Sequence, residues 1–201
     1  MKLNTSYEDY KKAQAGLDSI KLGDHCAVIT KAYETERSGY SMIIIEFDFS
    51  SSDVQEGLIE KKSEGLDYWH QAGQFSIFLG NDYTLTNIKK LATALKDSNK
   101  GFELVKETKG GIDVDLEGCV GKEVGVCMGL VEFEFKKGEK AGEIGAAPRC
   151  RWFKDVNKVD FGENIPPVKT LNGSSSSSNA SKDSDGFNKI EDADVDNLPF
   201  V

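Results

Sequence analysis

Basic and aromatic residues are interleaved in one short segment, Arg149-Cys150-Arg151-Trp152-Phe153-Lys154. Arginine and lysine can hold phosphate groups, and an aromatic ring can stack on a nucleic-acid base. If the segment is a strand, alternate residues point to opposite faces, so one face holds Arg149, Arg151 and Phe153. One of the two aromatics must then be in the core, and we favour an exposed Phe153 beside the arginines over an exposed Trp152 beside Lys154. An ordinary half-buried edge strand explains the pattern equally well.

Four further candidates for binding nucleic acid flank a predicted turn at residues 37–39: Lys31, Tyr33, Arg37 and Tyr40. The two basic side chains could hold phosphates, while the two tyrosines could provide stacking platforms. The alternative is that tyrosines at the end of a hairpin simply pack against their neighbours, which is their commoner role.

A basic loop, predicted to join the last two strands, contains Lys136, Lys137 and Lys140. Between residues 136 and 158, seven basic residues stand against three acidic ones, a local net charge of +4 in a chain whose net charge is −9. Local charge decides where a polyanion can bind, so this loop could clamp a nucleic-acid backbone at the rim of a cleft. A solvated hairpin loop is the alternative.

No set of residues for catalysis is grouped in the sequence. Asp113 and Asp115 are two residues apart, but no third metal ligand follows from the spacing. Phosphate-binding loops, nucleophile elbows and zinc-protease motifs do not occur. The four cysteines form no C-x-x-C pair and are expected to be small buried apolar residues. We therefore predict a protein that is not an enzyme and that has no metal or other cofactor.

The C-terminal segment combines acidic with apolar residues. Five serines at 174–178 are followed by an acidic run and an apolar tip that include Asp192, Asp194, Asp196, Leu198, Pro199 and Phe200. The acidic run would be drawn to a basic surface on a partner protein, and the tip would fill an apolar pocket there. Acidic tails can also serve solubility alone, but an apolar tip adds nothing to solubility. The segment is therefore predicted to dock onto other proteins.

Hydrophobic patterning predicts a mainly β protein. Strands are expected at residues 25–34, 40–49, 74–79 (with Tyr68-Trp69 just before), 123–135 and 149–153, and an amphipathic helix at 84–97. Residues 50–67 are predicted to be irregular, and residues 102–117 to hold a short helix and a Gly110-Gly111 turn. The order strand, strand, strand, helix, strand, strand is that of the OB-fold, a five-stranded Greek-key barrel.

The chain is predicted to divide into an N-terminal helical extension (1–22, with a helix at 5–16), an OB-like nucleic-acid-binding domain (23–159) and a disordered linker with an acidic docking tail (160–201). Low apolar content and acidic residues predict disorder from residue 160 onward. No run of about 18 apolar residues occurs, so no membrane span is predicted. The N-terminus lacks the apolar stretch of a signal peptide, which favours a cytoplasmic location.

The tail resembles that of bacterial single-stranded DNA-binding proteins, which end in aspartates followed by Pro-Phe. The body resembles a family of phage-encoded single-stranded DNA-binding proteins over residues 20–158, through segments at 23–24, 31–32, 38–42, 121–126 and 151–153. This resemblance implies an OB-like fold, single-strand binding in phage replication or recombination, a location in the bacterial host cytoplasm and no cofactor. In the bacterial proteins phenylalanine is the final residue, whereas here Val201 follows Phe200.

The leading hypothesis is a non-enzymatic protein that coats single-stranded DNA and recruits replication or recombination proteins through its tail. The sequence does not fix the oligomeric state, and a homo-oligomer is compatible with it. One alternative is an acidic adaptor, or an inhibitor that mimics nucleic acid, without DNA affinity; the net charge of −9 supports it. A second is a metal-dependent nuclease that uses Asp113 and Asp115.

Overall fold

The computed structural model describes residues 19–37, 39–63, 67–138 and 140–171. Within these residues there are seven strands: β1 (Gly23–Arg37), β2 (Tyr40–Phe49), β3 (Gln74–Phe78), β4 (Val105–Thr108), β5 (Gly111–Val114), β6 (Glu123–Glu134) and β7 (Ile144–Lys154). The helices are α1 (Leu58–Ser63), α2 (Asp67–Ala72), α3 (Thr84–Ser98) and a single 3₁₀ turn (Val156–Lys158). The helix predicted at 5–16 and the acidic tail lie outside the described residues. No helix in the described part of the chain is long and apolar enough to cross a lipid bilayer.

Five strands form one antiparallel sheet in the order β3-β2-β1-β6-β7, and β4 pairs with β5 in a separate hairpin. The mainly β class predicted from the sequence is therefore confirmed. The rings of Phe75 on β3 and Phe153 on β7 lie 4.9 Å apart, so the sheet curls around the core. No ladder joins β3 to β7 among the described residues, and the sheet is not a closed barrel.

The long strand β1 joins the two halves of the sheet. Its first residues, from Gly23 to Val28, pair with β6, and its later residues pair with β2 as far as Arg37. The register with β2 shifts between Ile29 and Lys31, so the strand contains a β-bulge there. A bulge bends the strand and increases its twist, which lets one strand serve both halves of a curled sheet.

The core lies between the inner face of this sheet and α3. Ile43, Ile45, Phe47 and Phe49 on β2 are all buried in it, as the alternating pattern of that strand predicts. Helix α3 adds a stripe of residues at three- and four-residue spacing: Ile88, Leu91 and Leu95 with Ala94. The amide of Asn99 ends the helix by donating to the carbonyl oxygen of Leu95 at 2.9 Å and ties it to β6 through Glu123 O at 2.7 Å.

Two connecting segments differ from the sequence-based expectation. Residues 50–67, predicted to be irregular, contain α1, because the buried carboxylate of Asp48 accepts the N–H groups of Ile59 and Glu60 at 3.0 and 2.8 Å. Tyr68 and Trp69 belong to α2 and not to a strand. The segment 102–117 forms the β4–β5 hairpin where a short helix was expected.

The prediction of disorder from residue 160 onward is wrong for residues 160–171, which we call the strap. The strap forms parallel bridges from Phe161 to Asp24 and from Lys169 to Val131. Pro166 is buried against Gly129, where a Cβ atom would collide with the proline ring. Because such a close approach depends on a neighbour without a side chain, sequence composition alone did not reveal it.

A buried histidine on β1 packs against the strap. His25 Nε2 lies 2.7 Å from the carbonyl oxygen of Lys21, and Nδ1 lies 3.2 Å from Asp53 Oδ2. His25 is thereby hydrogen-bonded through both ring nitrogens within the folded protein. The ring stacks on Phe49 with centroids 4.3 Å apart, and Phe161 of the strap meets it edge-on at 5.1 Å.

Candidate nucleic-acid interface

The outer face of β1, β2 and β3, opposite the core, carries the residues predicted around the first turn. Lys31 is paired with Glu46, Tyr33 with Ile44, and Arg37 with Tyr40 across the β1–β2 ladder. Residues directly opposite each other in an antiparallel pair share a face. The β2–β3 ladder adds Gln74, Ser76 and Phe78 to the same surface. We call this surface the hairpin face.

Aromatic rings are exposed on the hairpin face. Tyr33 is 38% exposed and Tyr40 is 46% exposed, while Phe78 is half-buried beside Tyr40 with ring centroids 6.3 Å apart. Met42 and Ile44, on the same face of β2, are buried although they lie outside the core. Met42 and Ile44 thus form an apolar floor beside the exposed aromatic rings. Flat nucleic-acid bases can stack on exposed rings of this kind.

A buried carboxylate organises one end of the hairpin face. Glu46 Oε1 accepts hydrogen bonds from Tyr33 Oη at 2.9 Å and Gln74 Nε2 at 3.0 Å, and lies 3.1 Å from His70 Nε2. Lys31 Nζ lies 3.5 Å from Glu46 Oε2. Glu46 thereby positions the Tyr33 hydroxyl, while the exposed Lys31 ammonium lies near the same carboxylate.

The protonation of this cluster follows from its contacts. Burial of Glu46 opposes ionisation, but the hydrogen bonds from Tyr33 and Gln74 and the charges of His70 and Lys31 outweigh it, so the pKa of Glu46 is lowered. Burial, together with the hydrogen bond and negative charge of Glu46, raises the pKa of Tyr33. The carboxylate is therefore charged and the phenol neutral at pH 7.

A second cationic surface lies at the end of the β6–β7 hairpin, and we call it the basic tip (residues 133–144). Lys136, Lys137 and Lys140 are exposed there, and Lys140 Nζ lies 5.8 Å above the ring of Phe135. Phe133 packs edge-on against Phe135 with centroids 4.8 Å apart. The predicted basic loop therefore carries aromatic rings as well, which the sequence-based selection of residues missed.

The segment 149–154 does not form the predicted exposed stripe. Phe153 is 8% exposed and packs in the core, so the preference for an exposed Phe153 is wrong. The β6–β7 register shifts between Cys127 and Met128, and this bulge leaves Arg151 without a cross-strand partner. An extra residue reverses the alternation on one side of it, so Cys150 and Phe153 both point inward.

The basic side chains of this segment are engaged within the protein. Arg149 donates to Gln71 Oε1 at 3.0 Å, and Arg151 donates to the carbonyl oxygen of Pro167 in the strap at 2.9 Å. Lys154 Nζ forms an ion pair with the buried carboxylate of Asp24. These contacts engage all three basic side chains of the segment within the folded protein. Of its two aromatic residues, Phe153 is buried and Trp152 is half-buried, so Trp152 alone retains exposed ring surface.

Other chemistry has little support in the described residues. No group of three His, Cys, Asp or Glu side chains in residues 19–37, 39–63, 67–138 and 140–171 is arranged to hold a metal ion. Asp115 accepts the N–H of Gly118 at 2.8 Å and lies 3.6 Å from Lys106 Nζ, so it stabilises its own turn. Cys119, Cys127 and Cys150 are buried as predicted, whereas Cys26 is only half-buried. Burial raises the pKa of Cys119 to about 11 and that of Cys127 to about 12.

Comparison with known proteins does not assign the chain to a family. No protein-family model and no curated protein matches it.

Phe78, Phe133 and Phe135 are the ring-bearing residues that the sequence-based selection overlooked. Each lies in a predicted strand, and the alternation within 74–79 separates Phe78 from the core residue Ile77. That Phe78 lies beside Tyr40 depends on the β2–β3 register, which a single sequence does not specify. Glu46 was likewise assigned only to a strand face, with no partner.

Proposed function

We propose that the protein binds single-stranded DNA without sequence preference and without catalysis, in phage replication or recombination. The observation that carries this proposal is the hairpin face, where Tyr33, Tyr40 and Phe78 surround an apolar floor. Base–aromatic stacking contributes about 1–3 kcal/mol per base and tolerates any base, because every base has a π-face. Lys31 and Arg37 lie on the same face, where they can contact phosphates.

The proposed fold is an OB-like barrel that stays open between β3 and β7. Its support is the strand order β3-β2-β1-β6-β7 with α3 between the third and fourth strands of the sheet, although the β4–β5 hairpin is inserted after α3. OB-folds bind oligonucleotides on the face of their second and third strands and on the loops after the first and fourth. The hairpin face and the basic tip correspond to these elements.

Charge distribution reconciles an acidic chain with a polyanionic ligand. From residue 183 onward, six acidic residues against one lysine account for −5 of the net −9. The proposed role of that segment is to recruit partner proteins, with Leu198 and Phe200 as apolar contacts and Asp192, Asp194 and Asp196 as charged ones. The tail repels DNA, so removing residues 191–201 should leave oligonucleotide affinity unchanged or increase it.

The test is fluorescence anisotropy of labelled dT oligonucleotides with the full chain at low salt, with a duplex of the same length in parallel. Binding of the single strand in preference to the duplex supports the proposal, and no binding at 50 mM salt rejects it. Rejection would favour the acidic adaptor, which needs no nucleic-acid surface. Retention of single-strand binding in a Tyr33→Ala/Tyr40→Ala chain would show that binding occurs elsewhere on the molecule.

A further inference from the structure

An apolar groove separates α3 from the β4–β5 hairpin. It encloses about 380 Å³, within the roughly 300–1,000 Å³ range of ligand pockets. Its apolar lining comes from Leu85, Ile88, Ala92, Leu104, Val105 and Ile112. Leu85 is 66% exposed and Ile112 is 49% exposed, so two large apolar side chains are open to solvent beside it. None of the lining residues belongs to the hairpin face or the basic tip.

Lysines border the same groove. Lys89 and Lys96 line it together with Glu103, and α3 carries three lysines against the single acidic residue Asp97. Lys96 Nζ lies 3.3 Å from Glu103 Oε1 in an exposed pair, which is worth little because water competes for both charges. Among the residues that the structure describes, no ion-pair partner for Lys89 is found. The groove thus pairs an apolar floor with a cationic edge.

We propose that this groove binds the chain's own C-terminal segment, residues 191–201. The segment has the complementary chemistry, with an acidic run next to the apolar residues Leu198 and Phe200. The apolar side chains would lie between Leu85 and Ile112, and the aspartates would face Lys89 and Lys96 on α3. Burial of apolar side chains would supply affinity, and the charges would fix the direction of the segment.

The connection is long enough for the segment to reach the groove. Residues 172–197 separate Leu171, the last described residue, from Leu198. An extended chain of that length spans up to about 90 Å, well beyond the roughly 40 Å breadth of a domain of this size. Attachment gives the segment an effective concentration of order 1 mM, so even a dissociation constant of about 100 μM leaves the groove about 90% occupied.

The proposal concerns regulation of the tail and does not rest on DNA binding. A tail held in the groove is withheld from partner proteins and from the hairpin face until a partner with higher affinity displaces it. Its failure is distinguishable from failure of the proposed function, because oligonucleotide affinity is measured separately.

The experiment compares ¹H–¹⁵N spectra of the full chain with those of a full-chain Leu198→Ala/Phe200→Ala variant. Both substitutions lie outside the described residues, and the groove itself is left unchanged. We expect the amide shifts of Ile88, Ala92 and Ile112 to change, with the spectrum of the hairpin face unaltered. A tenfold dilution should leave the shifts in the original chain unchanged, because the contact is within one molecule.

A reciprocal variant tests the groove from the other side. Ile112→Glu places a carboxylate at the mouth of the groove and should give the tail amides the shifts of an unbound peptide. The control Ile144→Glu, at a more exposed isoleucine in the basic tip (62% against 49%), should not. Unchanged groove amides in the tail variant would overturn the proposal. Changes at Tyr33 and Tyr40 would also overturn it, by locating the tail on the hairpin face. Loss of the contact on dilution would assign it to a second copy and overturn the intramolecular form.

Discussion

Salt dependence of DNA binding provides a quantitative test of the proposed interface. Five described cations belong to its two surfaces: Lys31 and Arg37 on the hairpin face, and Lys136, Lys137 and Lys140 at the basic tip. For single strands the logarithm of the binding constant falls with the logarithm of salt concentration with a slope of about −0.7 per phosphate neutralised. If each cation contacts one phosphate, the slope is about −3.5, and affinity falls about 130-fold between 50 and 200 mM salt.

The perturbation is a Lys136→Gln/Lys137→Gln/Lys140→Gln chain. This variant removes three of the five contacts, so the magnitude of the slope should decrease from about 3.5 to about 1.4. The affinity should then decrease only about 7-fold over the same salt range. Anisotropy of a labelled dT oligonucleotide, titrated at 50, 100 and 200 mM NaCl, measures both slopes. Glutamine keeps the length of the side chain, and the three lysines are exposed, so stability should change little.

A matched control separates local contacts from net charge. Lys100→Gln/Lys106→Gln/Lys109→Gln removes the same charge from exposed positions around the β4–β5 hairpin and should leave the slope near −3.5. Equal slopes in the tip variant and the original chain would refute the assignment of phosphates to the basic tip. A reduced slope in the control alone would show that DNA follows the α3 side of the molecule instead.

Three further outcomes follow from the contacts described above. Tyr40→Ala should weaken oligonucleotide binding about 5- to 150-fold, the equivalent of about 1–3 kcal/mol of stacking, while Tyr40→Phe, which keeps the ring, should bind normally in the same anisotropy assay. The pKa of Glu46 is lower in the folded protein than in the unfolded chain, so its charge stabilises the fold above about pH 4.3, and this contribution is lost as the pH falls through the folded pKa. In urea denaturation, Glu46→Gln should therefore lose less stability between pH 6 and pH 3 than the original chain does. Asp53→Ala should cost at least about 1–3 kcal/mol in urea denaturation at pH 7, because His25 Nδ1 and the N–H groups of Cys26 and Gln55 lose their partner. Asp82→Ala, at an exposed position, should stay within about 0.5 kcal/mol, and equal effects would contradict this role of Asp53.

Local patterning was enough to identify the main elements of this protein. The alternation in β2 and the three- and four-residue spacing in α3 each define a buried face within one short segment, so both elements were predicted. The spacing in α3 also placed Leu85 on the buried face, but that side chain is 66% exposed. Residues close in sequence determine such periodicities, and no knowledge of partners is needed. The candidates Lys31, Tyr33, Arg37 and Tyr40 followed from composition around a turn for the same reason, and β1 and β2 carry them on a shared face.

Pairing between distant segments decided the rest. The bulge at Arg151 reversed the inward and outward positions in β7, because one unpaired residue shifts every side chain after it to the other face. The position of Phe78 beside Tyr40 needed the β2–β3 register, and the charge state of Glu46 needed donors from three separate elements. The strap is ordered by contacts with Asp24 and Gly129 that composition does not encode. These features depend on which segments meet in space, and only the tertiary structure specifies that.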